Sequence, residues 1–314
     1  MAGLVAVIYG VVAYGFTLVA LLYLIGFVGN LIVPKSIDSG TAGPLLHSVI
    51  VNTMLIGLFA IQHSVMARQG FKRWWTRIVP PSVERSTYVL SASFALLILY
   101  WQWQPIPALV WTVHNPTAAV LDGIFWLGWV VLVASTFMLS HFELFGLSQV
   151  FARLFDRQLP DAKFRTPLLY RHVRHPIYLG VLLAVWATPA MTVGHLLFSV
   201  VITGYILIGI QLEEHDLIQQ FGDQYRRYRQ HAAMLVPLPG RKFTGPKDAD
   251  VVASIAKHTK VPPEAVRASA PAYLDPGARP RVPDLAAFQD WFHTMGWVKE
   301  KVPIERVVDL SFLQ

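Results

Sequence analysis

The chain has no cysteine. That excludes disulfides, a thiolate nucleophile and any Cys-ligated metal site, and leaves thiol usage silent about the redox compartment. Charge is also scarce: only 14% of the 314 residues are charged, against 54% hydrophobic, and mean hydropathy is +0.46. An ordinary soluble domain of this length is ruled out on composition. Walker loops, zinc-finger spacings and the Rossmann glycine fingerprint are all missing. The excess of Lys and Arg (26) over Asp and Glu (19) is explained by basic loops against an anionic leaflet, so no nucleic-acid partner is expected.

Long apolar runs are what the sequence does contain. They lie at roughly Leu4 to Val33, Leu45 to Met66, Tyr88 to Trp103 and Leu121 to Ser140, each matched to a hydrocarbon layer about 30 Å thick. A fifth run, Ile177 to Leu212, is interrupted at Thr188-Pro189 and Gly194-His195. It reads as a helical hairpin whose first arm is short for a full crossing. The expected fold is all-α and integral to the membrane, with about five transmembrane segments and the hairpin last. The first run is too long and too weakly basic at its start for a cleaved signal peptide, and is kept as a span.

Positive charge is retained on the cytoplasmic side. The Ala67 to Glu84 loop carries Arg68, Lys72, Arg73 and Arg77, and the Phe142 to Arg174 loop carries Arg153, Arg157, Lys163, Arg165, Arg171 and Arg174. The opposite loops hold Lys35 alone. Both termini are therefore expected in the cytoplasm of a multi-pass inner-membrane protein. From Arg241 to Val251 the composition turns polar with Gly and Pro, which marks a linker. This divides the chain into a membrane domain, 1–240, and a linker with a soluble tail, 241–314.

The densest polar cluster abuts the hairpin: RHVRHPIYLG before it, and LEEHDLIQQFGDQYRRY after it. Pro176 suits the first turn of a helix, where its missing N–H costs nothing. The N–H groups of that turn, with Arg174 and His175 adjacent, suit an anionic ligand group, although both side chains also serve as ordinary interfacial anchors. Glu213 and Glu214 close the second arm, where carboxylates oppose the helix dipole unless compensated. A bound cation or hydroxyl-rich ligand compensates them, or Glu214 pairs with Arg226 or Arg227 at the surface. Tyr225 and Tyr228 share a helical face, and either lid a pocket or pack.

The order Arg-His-Pro-x-Tyr-x-Gly, apolar hairpin, Glu-Glu, Phe-Gly-x-x-Tyr-x-x-Tyr resembles the isoprenylcysteine carboxyl methyltransferase family of membrane enzymes that use S-adenosylmethionine. The resemblance implies a cytoplasmic cofactor pocket built from Gln149, a strip Ala162 to Arg165 that includes Phe164 and Arg165, then Tyr170, Arg174, His175, Pro176, Tyr178, Glu213 and Tyr225, with no metal. An arginine that holds a carboxylate substrate in the eukaryotic members is replaced here by Gly209. The runs FAIQHSVMARQGFKRWWTRIVPPSVERSTYVL and FWLGWVVLVASTFMLSHFELFGL, with FRTPLLYRHVRHPIYLG and WATPAMTVGHLLF, resemble the bacterial methanethiol S-methyltransferases of sulfur metabolism. That likeness implies transfer of a methyl group from S-adenosylmethionine to a small volatile thiol, giving dimethyl sulfide and S-adenosylhomocysteine.

In-line displacement at a sulfonium methyl needs alignment, water exclusion and a thiolate, so a nearby base helps. His63 is the leading candidate, with Glu84 or Glu213 tuning it and Tyr88 and Trp186 shaping the acceptor pocket. His141, near Glu143, is the second candidate. Two other readings are a membrane methyltransferase for a lipid-soluble or isoprenoid-type acceptor, and a non-catalytic transport or binding component. The latter is suggested only by the tail, whose end is similar to the end of periplasmic solute-binding proteins, too incomplete to bind as they do. A transporter buries polar groups at mid-membrane, whereas the ionisable residues here collect at one interface.

Overall fold

The computed structural model describes residues 2–159 and 164–236. The linker and tail, and Ala162 and Lys163 of the proposed cofactor strip, lie outside the described residues. Within them the chain forms α1 (Ala2–Gly29), α2 (Leu45–Ala67), α3 (Gln69–Trp75), α4 (Pro81–Gln102), β1 (Leu109–Thr112), α5 (Thr117–Leu139), α6 (His141–Leu144), α7 (Leu147–Leu154), a 3-10 turn (Leu168–Arg171), α8 (Pro176–Trp186), β2 (Ala190–Thr192), α9 (Val193–Phe221) and α10 (Asp223–His231). Among the described residues, four helices are long and apolar enough to cross a membrane: Gly3–Gly29, Leu45–Ala67, Thr117–Leu139 and Val193–Phe221. The chain is thus a mostly helical, multi-pass membrane protein.

Prolines and caps set several of the boundaries. Pro44 precedes α2, and Pro81 and Pro176 occupy the first turns of α4 and α8, as their fixed φ and absent N–H favour. Thr192 caps α9 by accepting a hydrogen bond from the His195 N–H at 3.0 Å. Gly194 and His195 therefore belong to the first turn of α9 and do not interrupt it; the break in the hairpin is Ala187 to Thr192. Tyr88 lies inside α4 and does not begin it, because the polar Pro81–Thr87 stretch is helical too. Two short strands are added to the helical fold, β1 and β2, paired antiparallel with Leu109 opposite Thr192 and Thr112 opposite Ala190.

The arm α8 spans only about 16 Å at 1.5 Å per residue, half a bilayer, and packs along α5. Their crossing is glycine on glycine. A Cβ at Gly128 would lie 2.6 Å from the Gly180 carbonyl oxygen, and one at Gly180 would lie 2.6 Å from the Gly128 carbonyl oxygen. Small residues let membrane helices approach to backbone contact, and here backbone cannot yield. Gly180→Val should lower stability by about 2 kcal/mol or more, read as a fall in the thermal midpoint of detergent-solubilised protein. Gly204→Val, where a Cβ meets nothing within 4 Å, is the matched control; equal midpoints for the two variants would refute the contact.

The start of α1 packs against α7, with Gly3 beside Leu154 and Gly10 beside Val150. Arg68, after α2, bridges to Asp216 of α9 at 2.9 Å. The first turns of α1, α4 and α8 and the last turns of α2 and α9 therefore share one end of the bundle. The opposite end is tied by Trp103, whose indole N–H donates to the Ile37 carbonyl at 2.9 Å.

Candidate active site

At the shared end, α9 continues two turns past Leu212 to Phe221, which places Glu213 and Glu214 inside the helix and away from its C-terminus. Glu214 is buried, and its compensation comes from the protein. Oε1 accepts from Arg174 Nε at 2.7 Å and from His175 Nε2 at 3.1 Å, and Oε2 lies 3.5 Å from an Arg229 guanidinium nitrogen. The expected pairing of Glu214 with Arg226 or Arg227 is thereby corrected: Arg226 pairs with Asp223 at the surface. Arg174 turns inward as well, donating from Nη1 to the carbonyls of Arg229 (3.1 Å) and Ala232 (2.6 Å). Its N–H donates to the Ala233 carbonyl and the Ala233 N–H to the His172 carbonyl, so the segment after α10 is strapped across the head of α8.

Glu213 is the contrasting neighbour. Its side chain is 43% exposed and sits 3.7 Å from His175 Nδ1, and the Tyr178 phenol lies close enough to feel its charge. His175 thus stands between a buried carboxylate and an accessible one. Around them Phe164 meets Phe221, Tyr225 and Tyr228 at 5.4, 6.0 and 5.3 Å between ring centroids. The Tyr228 hydroxyl donates to the Tyr170 carbonyl, so Tyr228 packs. Tyr225 is 2% exposed, and its hydroxyl has no hydrogen-bond partner among the described residues. Burial pushes the phenols of Tyr170, Tyr225 and Tyr228 above the usual range, so all three stay protonated near neutral pH. Pro176 is buried at the start of α8, and Arg165 is exposed. Gln149 sits on α7, which packs against α1 and α4, and its amide donates to the Glu143 carbonyl; no contact brings it to Glu213.

The second cluster adjoins this one. His63 lies near the end of α2, with the Tyr88 hydroxyl 2.9 Å from Nε2 and 3.1 Å from Nδ1. Its ring stacks on Phe59 at 5.3 Å and meets Tyr88 at 5.1 Å. Tyr205 of α9 approaches Phe59 edge-on at 6.1 Å. Tyr88, Tyr178 and Tyr205 all lie within electrostatic reach of Glu213. Glu84, in the first turn of α4, holds a buried carboxylate oxygen without a hydrogen-bond partner among the described residues, as does the Gln62 amide oxygen. Phe59 and Tyr205 escape sequence reasoning as site residues. Their available signal is spacing: Phe59 is one turn before His63, and Tyr205 two turns before Glu213.

Two expected site residues lie elsewhere. His141 has both ring nitrogens engaged, Nε2 with the Tyr14 hydroxyl at 2.8 Å and Nδ1 with Thr136 at 2.9 Å, and stacks on Phe137 at 4.2 Å. It bolts α1 to α5, and burial holds it below the ordinary imidazole range. Trp186 is at the far end of α8, about 15 Å from Pro176 at 1.5 Å per residue, where its indole N–H donates to Thr203 at 2.9 Å. No hydrogen bond or ring contact among the described residues joins it to His63 or Tyr88.

No family model matches the chain, and no solved structure matches it. Curated relatives do. The chain is 56% identical over 236 residues to a protein of Mycobacterium tuberculosis named methanethiol S-methyltransferase, a match covering 75% of this chain and 97% of that one. It is 54% identical over 234 residues to methanethiol S-methyltransferase 1 of Bradyrhizobium diazoefficiens, covering 74% and 82%. A Nurim homolog of Drosophila pseudoobscura pseudoobscura is 30% identical over 209 residues, covering 64% of this chain and 80% of that one.

Proposed function

Because the chain belongs to the methanethiol S-methyltransferase family, we propose that it transfers the methyl group of S-adenosylmethionine to the sulfur of methanethiol, releasing dimethyl sulfide and S-adenosylhomocysteine. The observation that carries this reading is the convergence of two clusters at one end of the bundle: an accessible carboxylate backed by His175 and Tyr178, and a His63–Tyr88 pair within its reach. The relatives' names favour a thiol acceptor over an isoprenoid one or a non-catalytic role.

The residues present suit the donor. Glu213 offers an exposed carboxylate to an ammonium or to ribose hydroxyls, and Tyr225 a buried hydroxyl that the described residues leave unpaired. Bound S-adenosylmethionine supplies an electrophilic methyl on a positively charged sulfur. Arg174 and Glu214 hold the head of α8 and the strap in place around Glu213, a positioning role for Arg174 in place of ligand contact. His63 takes the proton of the thiol as its S–H bond breaks, and the Tyr88 hydroxyl fixes the imidazole. Glu213 and Tyr225 would hold the donor while its methyl passes to the thiolate sulfur and the electron pair of the broken S–C bond stays on the donor, and the proton on His63 would pass to water. Aromatic walls exclude that water from the reacting sulfur.

The basic loops flanking this end support a cytoplasmic face in a bacterial inner membrane, with both termini on that side. The chemistry belongs to residues 1–240, and the segment 241–314 is a separate tail without a part in it.

Calorimetric titration of S-adenosylhomocysteine tests the donor site. Glu213→Ala should weaken binding by roughly tenfold or more, the range for losing a charged hydrogen-bond partner, and His175→Ala should weaken it in the same direction. Undiminished affinity in both folded variants would remove this end of the bundle as the donor site.

A further inference from the structure

The ring system around His63 is larger than a base requires. Phe59 stacks on the imidazole at 5.3 Å, Tyr88 meets it tilted at 5.1 Å, and Tyr205 closes on Phe59 at 6.1 Å. Four rings from α2, α4 and α9 thus make one continuous arc. Tyr205 and Glu213 lie on the same face of α9, and Gly209 stands between them. A Cβ at Gly209 would be in ordinary van der Waals contact with the Tyr178 hydroxyl, at 3.9 Å. The missing side chain at Gly209 is the notch that the arc and the Glu213 carboxylate border.

Aromatic faces carry negative potential and attract weakly hydrated cations. The arc already does so once, because the Arg85 guanidinium lies 5.6 Å over the Tyr88 ring. Two neighbouring cations are paired away from the notch, Arg68 with Asp216 and Arg174 with Glu214. A positive ligand group entering the notch thus meets rings and a carboxylate without a competing side-chain charge from those two arginines.

We propose that Phe59, His63, Tyr88 and Tyr205 form an aromatic cage for the sulfonium, so that the site holds the charged donor more tightly than the neutral thioether left after transfer. This rests on the S-adenosylmethionine reading above. Methyl transfer removes the positive charge from the donor sulfur, so the cage loses its attraction in the same step, which favours product release over donor release.

The test compares binding without turnover. Full-length protein in detergent is titrated, without thiol, with S-adenosylmethionine, with S-adenosylhomocysteine, and with sinefungin, whose amine replaces the methyl sulfonium. The wild type should prefer both cationic ligands over S-adenosylhomocysteine. Tyr205→Leu and Phe59→Leu should each shrink that preference by about three- to thirtyfold, the range of a desolvated cation–π contact, with S-adenosylhomocysteine affinity unchanged. Tyr205→Phe keeps the ring and should keep the preference. If either leucine variant is too unstable to titrate, the other, set against Tyr205→Phe, decides. A wild-type preference that survives the loss of either ring overturns the cage and leaves the donor site standing, as does the absence of any preference. Failure of the wild type to bind any of the three overturns both.

Discussion

His63→Ala should lower turnover by roughly 10²-fold or more, the usual contribution of a positioned general base, while S-adenosylhomocysteine affinity stays near wild type. The split follows from geometry: His63 contacts Phe59 and Tyr88, whereas Glu213, His175 and Tyr178, proposed to hold the ligand whether or not its sulfur is charged, form a separate cluster. Loss of kcat/KM for the thiol, with S-adenosylhomocysteine binding intact, marks an interaction that the neutral product does not make. Methanethiol is a weak acid, so raising the pH should restore part of the lost rate as hydroxide supplies thiolate without the imidazole. Tyr88→Phe should show a milder defect, since the imidazole keeps its stacking on Phe59. A near-normal rate in His63→Ala, at every pH, would mean that the thiol is deprotonated in water before it enters and that His63 only packs.

The second large effect is on folding. Glu214→Ala should destabilise the protein by about 3 kcal/mol or more, because it leaves the charge of Arg174 without its buried counterion. The Glu214 side chain is 7% exposed and that of Arg174 10%, so solvent cannot take over the pairing. The strap should loosen with it, since Arg174 also holds the Arg229 and Ala232 carbonyls. Glu214→Gln keeps an acceptor for Arg174 and should cost less. Glu213→Ala, one residue away but exposed, should leave stability nearly unchanged and lose donor affinity instead. Denaturation in detergent separates the two, and a Glu214→Ala protein as stable as wild type would refute the buried ion cluster as the anchor of this end.

What the sequence made legible, and what it hid, divides along local and tertiary lines. Runs such as Leu45 to Met66 declare a helix within a residue of its end, because uninterrupted apolar length has few alternatives in a membrane protein. The same reasoning stopped the hairpin's second arm at Leu212, where hydrophobicity ends. The helix does not end there, because Glu213 to Phe221 contains neither Gly nor Pro and continues the helix in water to Gly222. The Arg174–His175 and Glu213–Glu214 pairs stand out as motifs, yet which of two adjacent carboxylates is buried depends on helix rotation, which no local pattern carries. The sequence therefore leaves Glu214 between a ligand and surface arginines, and Arg174 between a ligand and an interfacial anchor. Tyr205 and Phe59 are ordinary aromatics in apolar runs until α2 and α9 are set side by side. His141 shows the same limit: its place near the membrane end makes it a candidate base, while the Tyr14 hydroxyl on its ring comes from a helix far away in sequence.

The central claim is tested most directly by headspace measurement of dimethyl sulfide above purified protein given methanethiol and S-adenosylmethionine. The account predicts dimethyl sulfide formed one for one with S-adenosylhomocysteine, undiminished in a chain ended after Gly240 and much slower with a prenylcysteine analogue as acceptor. Folded, donor-binding protein that yields no dimethyl sulfide, or that prefers the prenylcysteine analogue, would contradict it.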